Sequence, residues 1–129
     1  ALPIFGIGTD IIHNSRILKI ERKFGSVFRK KFLNEIEQER YHKLSAFRQQ
    51  QFLTSCFAAK EAAAKSLGTG FRNGIKFQDI VLYHDTVGNP KVKFLNKASS
   101  TFIELGALYA DVTLSHDRGL TIAFVVLSK

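Results

Sequence analysis

The sequence predicts an α+β fold, a single domain over 1–129 in which an antiparallel sheet packs against a long helix. Three observations lead there. Strand-like segments recur at 4–12, 79–84, 91–94, 110–115 and 120–127, and the last four fall into two hairpins. Helical patterns are interspersed with them, and the one at 47–67 is much the longest. The 129 residues suit one core, and an apolar content of 45% that includes 12 Phe is ordinary for a globular chain rather than a disordered one.

Each element has a local cause. In 4–12, Ile4, Phe5, Ile7, Ile11 and Ile12 favour a strand, while Gly6 and Gly8 mark a bulge or the close approach of a ligand or another backbone. Ile17, Ile20 and Phe24 then take up helical spacing, with Ser15 as the expected N-cap and Gly25 as the stop. Phe28, Phe32 and Leu33 form a short apolar cluster. Asn34 and Glu37 have the spacing of a capping box, which predicts a helix over 35–44. The 47–67 helix ends at Gly68, where a C-cap glycine belongs. DTVGNP is the turn of the first hairpin, 96–106 is helical, and the final hairpin turns through His116-Asp117-Arg118-Gly119.

The formal charge of +8 favours an acidic partner: nucleic acid, an anionic membrane, a phosphorylated ligand or an acidic protein. No apolar run approaches the roughly 18 residues of a membrane span. The lone Cys56 forms no intrachain disulfide, so the fold does not require an oxidising compartment. The expected location is the cytoplasm, or an organelle stroma or matrix if an upstream transit peptide has been removed.

Two stretches carry chemistry. In FAAKEAAAKSLGTG, Glu61 and Lys65 are helical neighbours, and an isolated pair of this kind reads as a solvated ion pair. The small residues Ala58, Ala62 and Ala64 around them instead invite close approach from several sides. The Leu-Gly-Thr-Gly end offers backbone amides to a phosphate or is a plain helix cap. In GIGTDII, Asp10 is either a turn aspartate or a ligand for a hard cation, since one or two carboxylates with phosphate oxygens and waters make a Mg²⁺ site. Residues 16–31 gather Arg16, Lys19, Arg22, Lys23, Arg29, Lys30 and Lys31, with Ile17, Leu18, Ile20 and Phe24 between them: a solvated face, or a docking surface for an acidic partner. His116 is a structural histidine or a phosphate contact.

GIGTDII with Arg16, FAAKEAAAKSLGTG, FRNGIKFQDI, GNPKVKF and the late Leu-Ser-His together resemble the holo-acyl-carrier-protein synthase family of 4′-phosphopantetheinyl transferases over almost the whole chain. The resemblance implies that family's fold, a place in fatty acid biosynthesis, and transfer of phosphopantetheine from coenzyme A to a serine of an acyl carrier protein, with 3′,5′-ADP leaving. It implies Mg²⁺ on Asp10 and Glu61, phosphate contact from Lys65, ligand contact at Gly68 and Thr69, and nucleotide contact from Pro90, Lys91 and His116. Glu61 or a metal-bound water would take the serine proton. Arg16, Arg22 and the helix they lie on would dock the acidic carrier. The small members of the family are homotrimers with sites between neighbours, which also offers a reason for the alanine-rich helix. His13-Asn14-Ser15 departs from the family pattern. So does Asp117, where Thr, Ser or Glu is commoner, and so does Cys56, where a basic residue is usual; Arg48 and Lys60 are candidates to replace it. A nucleic-acid-binding domain is the alternative that the charge suggests, but the late strands, DVTLSH and LTIAFVVL, are too apolar for a nucleic-acid platform. A non-catalytic scaffold is disfavoured by the intact Asp10, Glu61 and Lys65.

Overall fold

The computed structural model describes residues 3–129. Its elements run β1 (Ile4–His13), α1 (Asn14–Phe24), α2 (Ser26–Phe32), α3 (Glu35–Lys43), α4 (Ala46–Ser66), a 3₁₀ turn (Phe77–Asp79), β2 (Ile80–His84), β3 (Pro90–Phe94), α5 (Asn96–Glu104), β4 (Tyr109–Asp117) and β5 (Leu120–Ser128). β1, β5 and β4 form one antiparallel sheet in that order, and β2 and β3 form a separate hairpin. The fold is α+β, as the sequence predicts, with α4 lying on the three-stranded sheet. Among the described residues, no helix is long and apolar enough to cross a membrane.

Local chemistry accounts for most boundaries. The Asn34 capping box forms in full: the Asn34 side chain accepts from Ile36 N–H, and Glu37 accepts from the Asn34 N–H at 2.8 Å. Helix α1 starts earlier than expected. Its N-cap is His13, with no side-chain cap, and Ser15 lies inside the helix. The Asn14 N–H is bonded instead to the Gly119 carbonyl, so β1 passes into α1 without a loop and the β4–β5 turn supplies the capping acceptor. That turn is tighter than the sequence suggests. Only Arg118 and Gly119 form it, both at positive φ, and His116 belongs to strand β4.

The helix–sheet contact is set by glycine. Gly6 and Gly8 face α4, and a Cβ on either would collide with a helix carbonyl, that of Ser66 for Gly6 and that of Ala62 for Gly8. The close approach anticipated at these glycines is therefore made by the chain's own helix. The alanine run has the same explanation. Ala58, Ala59, Ala62, Ala63 and Ala64 are all buried within one chain, against β1, β5 and β2.

The helix also buries Lys60 completely. Its ammonium lies 2.7 Å from Glu37 Oε1 and donates to the carbonyls of Phe77 and Ile80, while Glu37 Oε2 accepts from the Leu82 N–H. Lys60 is thus a structural tie between α4, α3 and β2, and it is unavailable as the phosphate contact that would compensate for Cys56. Cys56 is itself buried and free, its thiol pushed well up by burial first and by the Glu37 carboxylate second.

A Gly8→Ala substitution should cost about 3 kcal/mol or more of stability, because two backbones must separate to admit one methyl group. Urea unfolding followed by circular dichroism measures the loss.

Candidate functional site

Asp10 faces α4, on the same side of β1 as Gly8. The Lys65 ammonium reaches back across the contact, 3.2 Å from Asp10 Oδ1 and 3.0 Å from the Thr9 carbonyl oxygen. Asp10 Oδ2 is buried and has no hydrogen-bond partner among the described residues. Glu61 lies one turn before Lys65, half-buried. Burial and then the Asp10 carboxylate push its carboxyl above the ordinary range, and Lys65 and Arg16 pull it part of the way back. The structure therefore brings Asp10, Glu61, Lys65 and Arg16 into one electrostatic unit.

These residues fit a divalent cation. One oxygen of the Asp10 carboxylate is buried without a hydrogen-bond partner among the described residues, and that carboxylate lies close enough to Glu61 to raise its proton affinity. No cluster of three or more His, Cys, Asp or Glu is present among the described residues. Two carboxylates without an all-protein cage suit Mg²⁺, which keeps waters and takes phosphate oxygens from its substrate.

Gly68 and Thr69 adjoin this centre in a cleft of about 300 Å³ lined by Lys65, Gly68, Thr69, Gly70 and Arg72. Of the two readings of Leu-Gly-Thr-Gly, the plain helix cap is the one its glycine amides form. The Gly68 N–H donates to the Lys65 carbonyl and the Gly70 N–H to the Ala64 carbonyl, so both close the helix end. The cationic groups at the cleft are the side chains of Lys65 and Arg72, and nothing in the FRNGIKFQDI segment singles Arg72 out.

Pro90 and His116 meet elsewhere, in a cleft of about 400 Å³ that also includes Arg40, Arg48, Ser55 and His84. Lys91 does not join them; it lies on the other face of strand β3 from Pro90. His116 is held at both ring nitrogens, with Ser55 Oγ 3.4 Å from Nε2 and Thr121 Oγ1 3.1 Å from Nδ1. The Thr121 hydroxyl donates to Asn14 Oδ1 at 2.7 Å. A neutral His116 is therefore protonated on Nδ1 and accepts from Ser55. His84 is kept neutral more strongly than usual, by burial first and then by the Arg40 charge. Arg40 and Arg48 flank the break between α3 and α4, and of the two replacements considered for the missing basic group at Cys56, only Arg48 is at hand. Arg40 and His84 were unmarked in the sequence because no motif includes them.

The two clefts are separate in one chain. Ser55, which touches His116, and Lys65, which touches Asp10, are ten residues apart along α4, or about 15 Å. On α1, Arg16, Lys19, Arg22 and Lys23 are exposed, and the apolar Phe24 and Val27 beside them are more than half exposed. Arg29 does not belong to that free surface: it is paired with Glu21 and stacked over Tyr41.

The sequence profile of the 4′-phosphopantetheinyl transferase superfamily matches residues 6–125. A holo-[acyl-carrier-protein] synthase of Photorhabdus laumondii is 37% identical over 128 residues, 99% of this chain and 100% of its own. The crystal structure of the holo-[acyl-carrier-protein] synthase of Neisseria meningitidis superimposes with a TM-score of 0.88 at 34% identity, over 98% of this chain and 100% of that one. That of a Bacillus anthracis synthase in complex with CoA (3′,5′-ADP) does so with a TM-score of 0.80 at 32% identity, over 99% and 98%.

The raised pKa of Glu61 fixes the sign of a pH effect. The folded state holds this proton more tightly than the unfolded one, so the stabilisation is complete below the unfolded pKa and is lost as pH rises through the raised folded value. In metal-free buffer, Glu61→Gln should be more stable than the parent at neutral pH. The difference should close as pH falls into the ordinary glutamate range, and urea titrations at a series of pH values measure it.

Proposed function

Because the chain belongs to the 4′-phosphopantetheinyl transferase superfamily, we propose that it moves the 4′-phosphopantetheine arm of coenzyme A onto a serine of an apo acyl carrier protein in a Mg²⁺-dependent reaction that releases 3′,5′-ADP. It is an enzyme, a transferase of the holo-[acyl-carrier-protein] synthase type. The observation that carries the reading is the Asp10–Glu61–Lys65 centre, with its unpartnered Asp10 oxygen, at the mouth of a cationic cleft. Asp10 and Glu61 would hold the metal, which when bound neutralises pyrophosphate charge. Lys65 and Arg72 lie where phosphate oxygens of the same substrate would come. The carrier serine oxygen attacks the β-phosphorus, the bond to the bridging oxygen breaks, and 3′,5′-ADP leaves with that oxygen. Glu61, or a water held beside it, would accept the serine proton.

The second cleft supplies the nucleotide end. Arg40, Arg48 and His116 converge there with Pro90, and together they offer the charge that a nucleotide phosphate needs where Cys56 offers none. Since the two clefts lie about 15 Å apart on α4, one CoA is best served by the first cleft of one chain and the second cleft of a neighbour. The outer face of the sheet is suited to hold that neighbour. Ile7 and Ile11 on β1 are each 60% exposed, and Ile122 and Phe124 beside them on β5 are 38% and 40% exposed, a contiguous apolar patch opposite α4. A homotrimer closes such an interface on itself. Arg16, Arg22 and the apolar Phe24 would receive the acidic carrier, and the long-range charge mainly speeds encounter. The setting is the cytoplasm, or the stroma or matrix of an organelle.

Mass spectrometry of an apo carrier mixed with this protein, CoA and Mg²⁺ should show the gain of one phosphopantetheine, and Glu61→Ala should lower the rate at least about 100-fold. Arg48→Ala should raise KM for CoA about tenfold with a smaller change in kcat, the pattern of a lost binding contact. Glu61→Ala and His116→Ala chains, each impaired alone, should regain activity when co-refolded if the site is shared between copies. Without such recovery the shared site is wrong.

A further inference from the structure

We propose that the Lys65 ammonium is the resident counter-ion of the Asp10–Glu61 centre, and that it yields to the divalent cation only when the CoA pyrophosphate arrives, so that metal and CoA bind as a unit. The proposal rests on the reading of Asp10 and Glu61 as cation ligands. Its ground is the charge already in the centre. Asp10 and Glu61 bring two negative charges; Lys65, bonded to Asp10 Oδ1, and Arg16, close enough to act on Glu61, bring two positive ones. A lone divalent cation therefore meets a centre with no net negative charge. It must also share the Asp10 carboxylate with an ammonium only a few ångströms away, a repulsion that the low exposure of Asp10 leaves poorly screened: its side chain is 15% exposed.

The pyrophosphate changes that balance. It adds negative charge for the metal, and it gives the ammonium somewhere to go. Lys65 is 53% exposed at its side chain and sits on a flexible four-carbon stem, with the Gly68–Thr69–Arg72 cleft beside it. Two of its three N–H donors are spent on Asp10 and Thr9, and a phosphate in that cleft would take the third and then draw the group away. Asp10 Oδ2, buried and unpartnered, is the oxygen left open for the metal meanwhile.

Mn²⁺ binding followed by electron paramagnetic resonance tests this without turnover. Wild-type protein should bind Mn²⁺ weakly alone and at least about tenfold more tightly with CoA, after correction for Mn²⁺ held by CoA in solution. Lys65→Met, which keeps the stem and removes the charge, should bind Mn²⁺ without CoA about tenfold more tightly than wild type. Mn²⁺ binding by wild type that ignores CoA, or by Lys65→Met that is no tighter, overturns the proposal. Asp10→Asn separates the two levels. If it loses Mn²⁺ binding in the presence of CoA while Lys65→Met gains nothing, only the exchange is wrong. If it binds like wild type, the metal-site reading falls as well.

Discussion

The contact between the backbones of β1 and α4 is the constraint on which the centre depends. Four helix residues advance about 6 Å and two strand residues about 6.6 Å, so a helix laid antiparallel along a strand repeats its contacts in near register. Gly8 against Ala62 and Gly6 against Ser66 are two such contacts. The next inward position along β1 is Asp10, and Glu61 and Lys65 flank the Ala62 contact. A side chain at position 6 or 8 would lift the helix and carry both groups away from the aspartate. Stability and chemistry therefore share one requirement, the absence of two Cβ atoms.

The opposite side of α4 is fixed by a different kind of interaction. Lys60 and Glu61 are consecutive, yet the helical step of about 100° sends the first into the core and leaves the second at the cleft. The Glu37–Lys60 pair is fully buried, and its remaining hydrogen-bonding capacity goes to the Asn34 and Leu82 amides and to the Phe77 and Ile80 carbonyls. A pair so satisfied is strongly destabilising to break, because either partner alone is an uncompensated buried charge. It also links α3, which carries Arg40, to β2, which carries His84, and so shapes the second cleft from behind.

What was legible in the sequence follows from how local each signal is. The capping box at Asn34 and Glu37, the hairpin at DTVGNP and the stop at Gly68 depend on residues within a few positions, and the structure reproduces them. The glycines of β1 announced a close approach but not what approached, since the partner lies more than fifty residues away. The burial of Lys60 has no sequence signal, because it depends on an acceptor set assembled from α3, the 3₁₀ turn and β2, which no spacing displays. The alanines tempted an intersubunit explanation when one chain already encloses them. Asp10, Glu61 and Lys65 could be named from their motifs; that Lys65 bonds to Asp10 rather than pairing along the helix with Glu61 required the fold.

The direct passage of β1 into α1 joins the basic helix rigidly to the strand that carries Asp10. Asp10 is on the strand, Arg16 on the helix, and no flexible loop lies between them. The junction is pinned twice, by the Asn14 N–H on the Gly119 carbonyl and by the Asn14 side chain on Thr121, which in turn holds His116 and through it Ser55 of α4. A load applied to α1 by the proposed acidic carrier would thus be borne by the strand that carries Asp10 and, through Asn14 and Thr121, by His116. Under the proposed function, rigid coupling of this kind would let binding energy gathered on the basic surface of α1 be spent on orienting the carrier serine, where a tethered docking helix would dissipate it. The departure at His13-Asn14-Ser15 falls on this junction, and Asn14 makes it a hydrogen-bonded joint rather than a gap in the pattern.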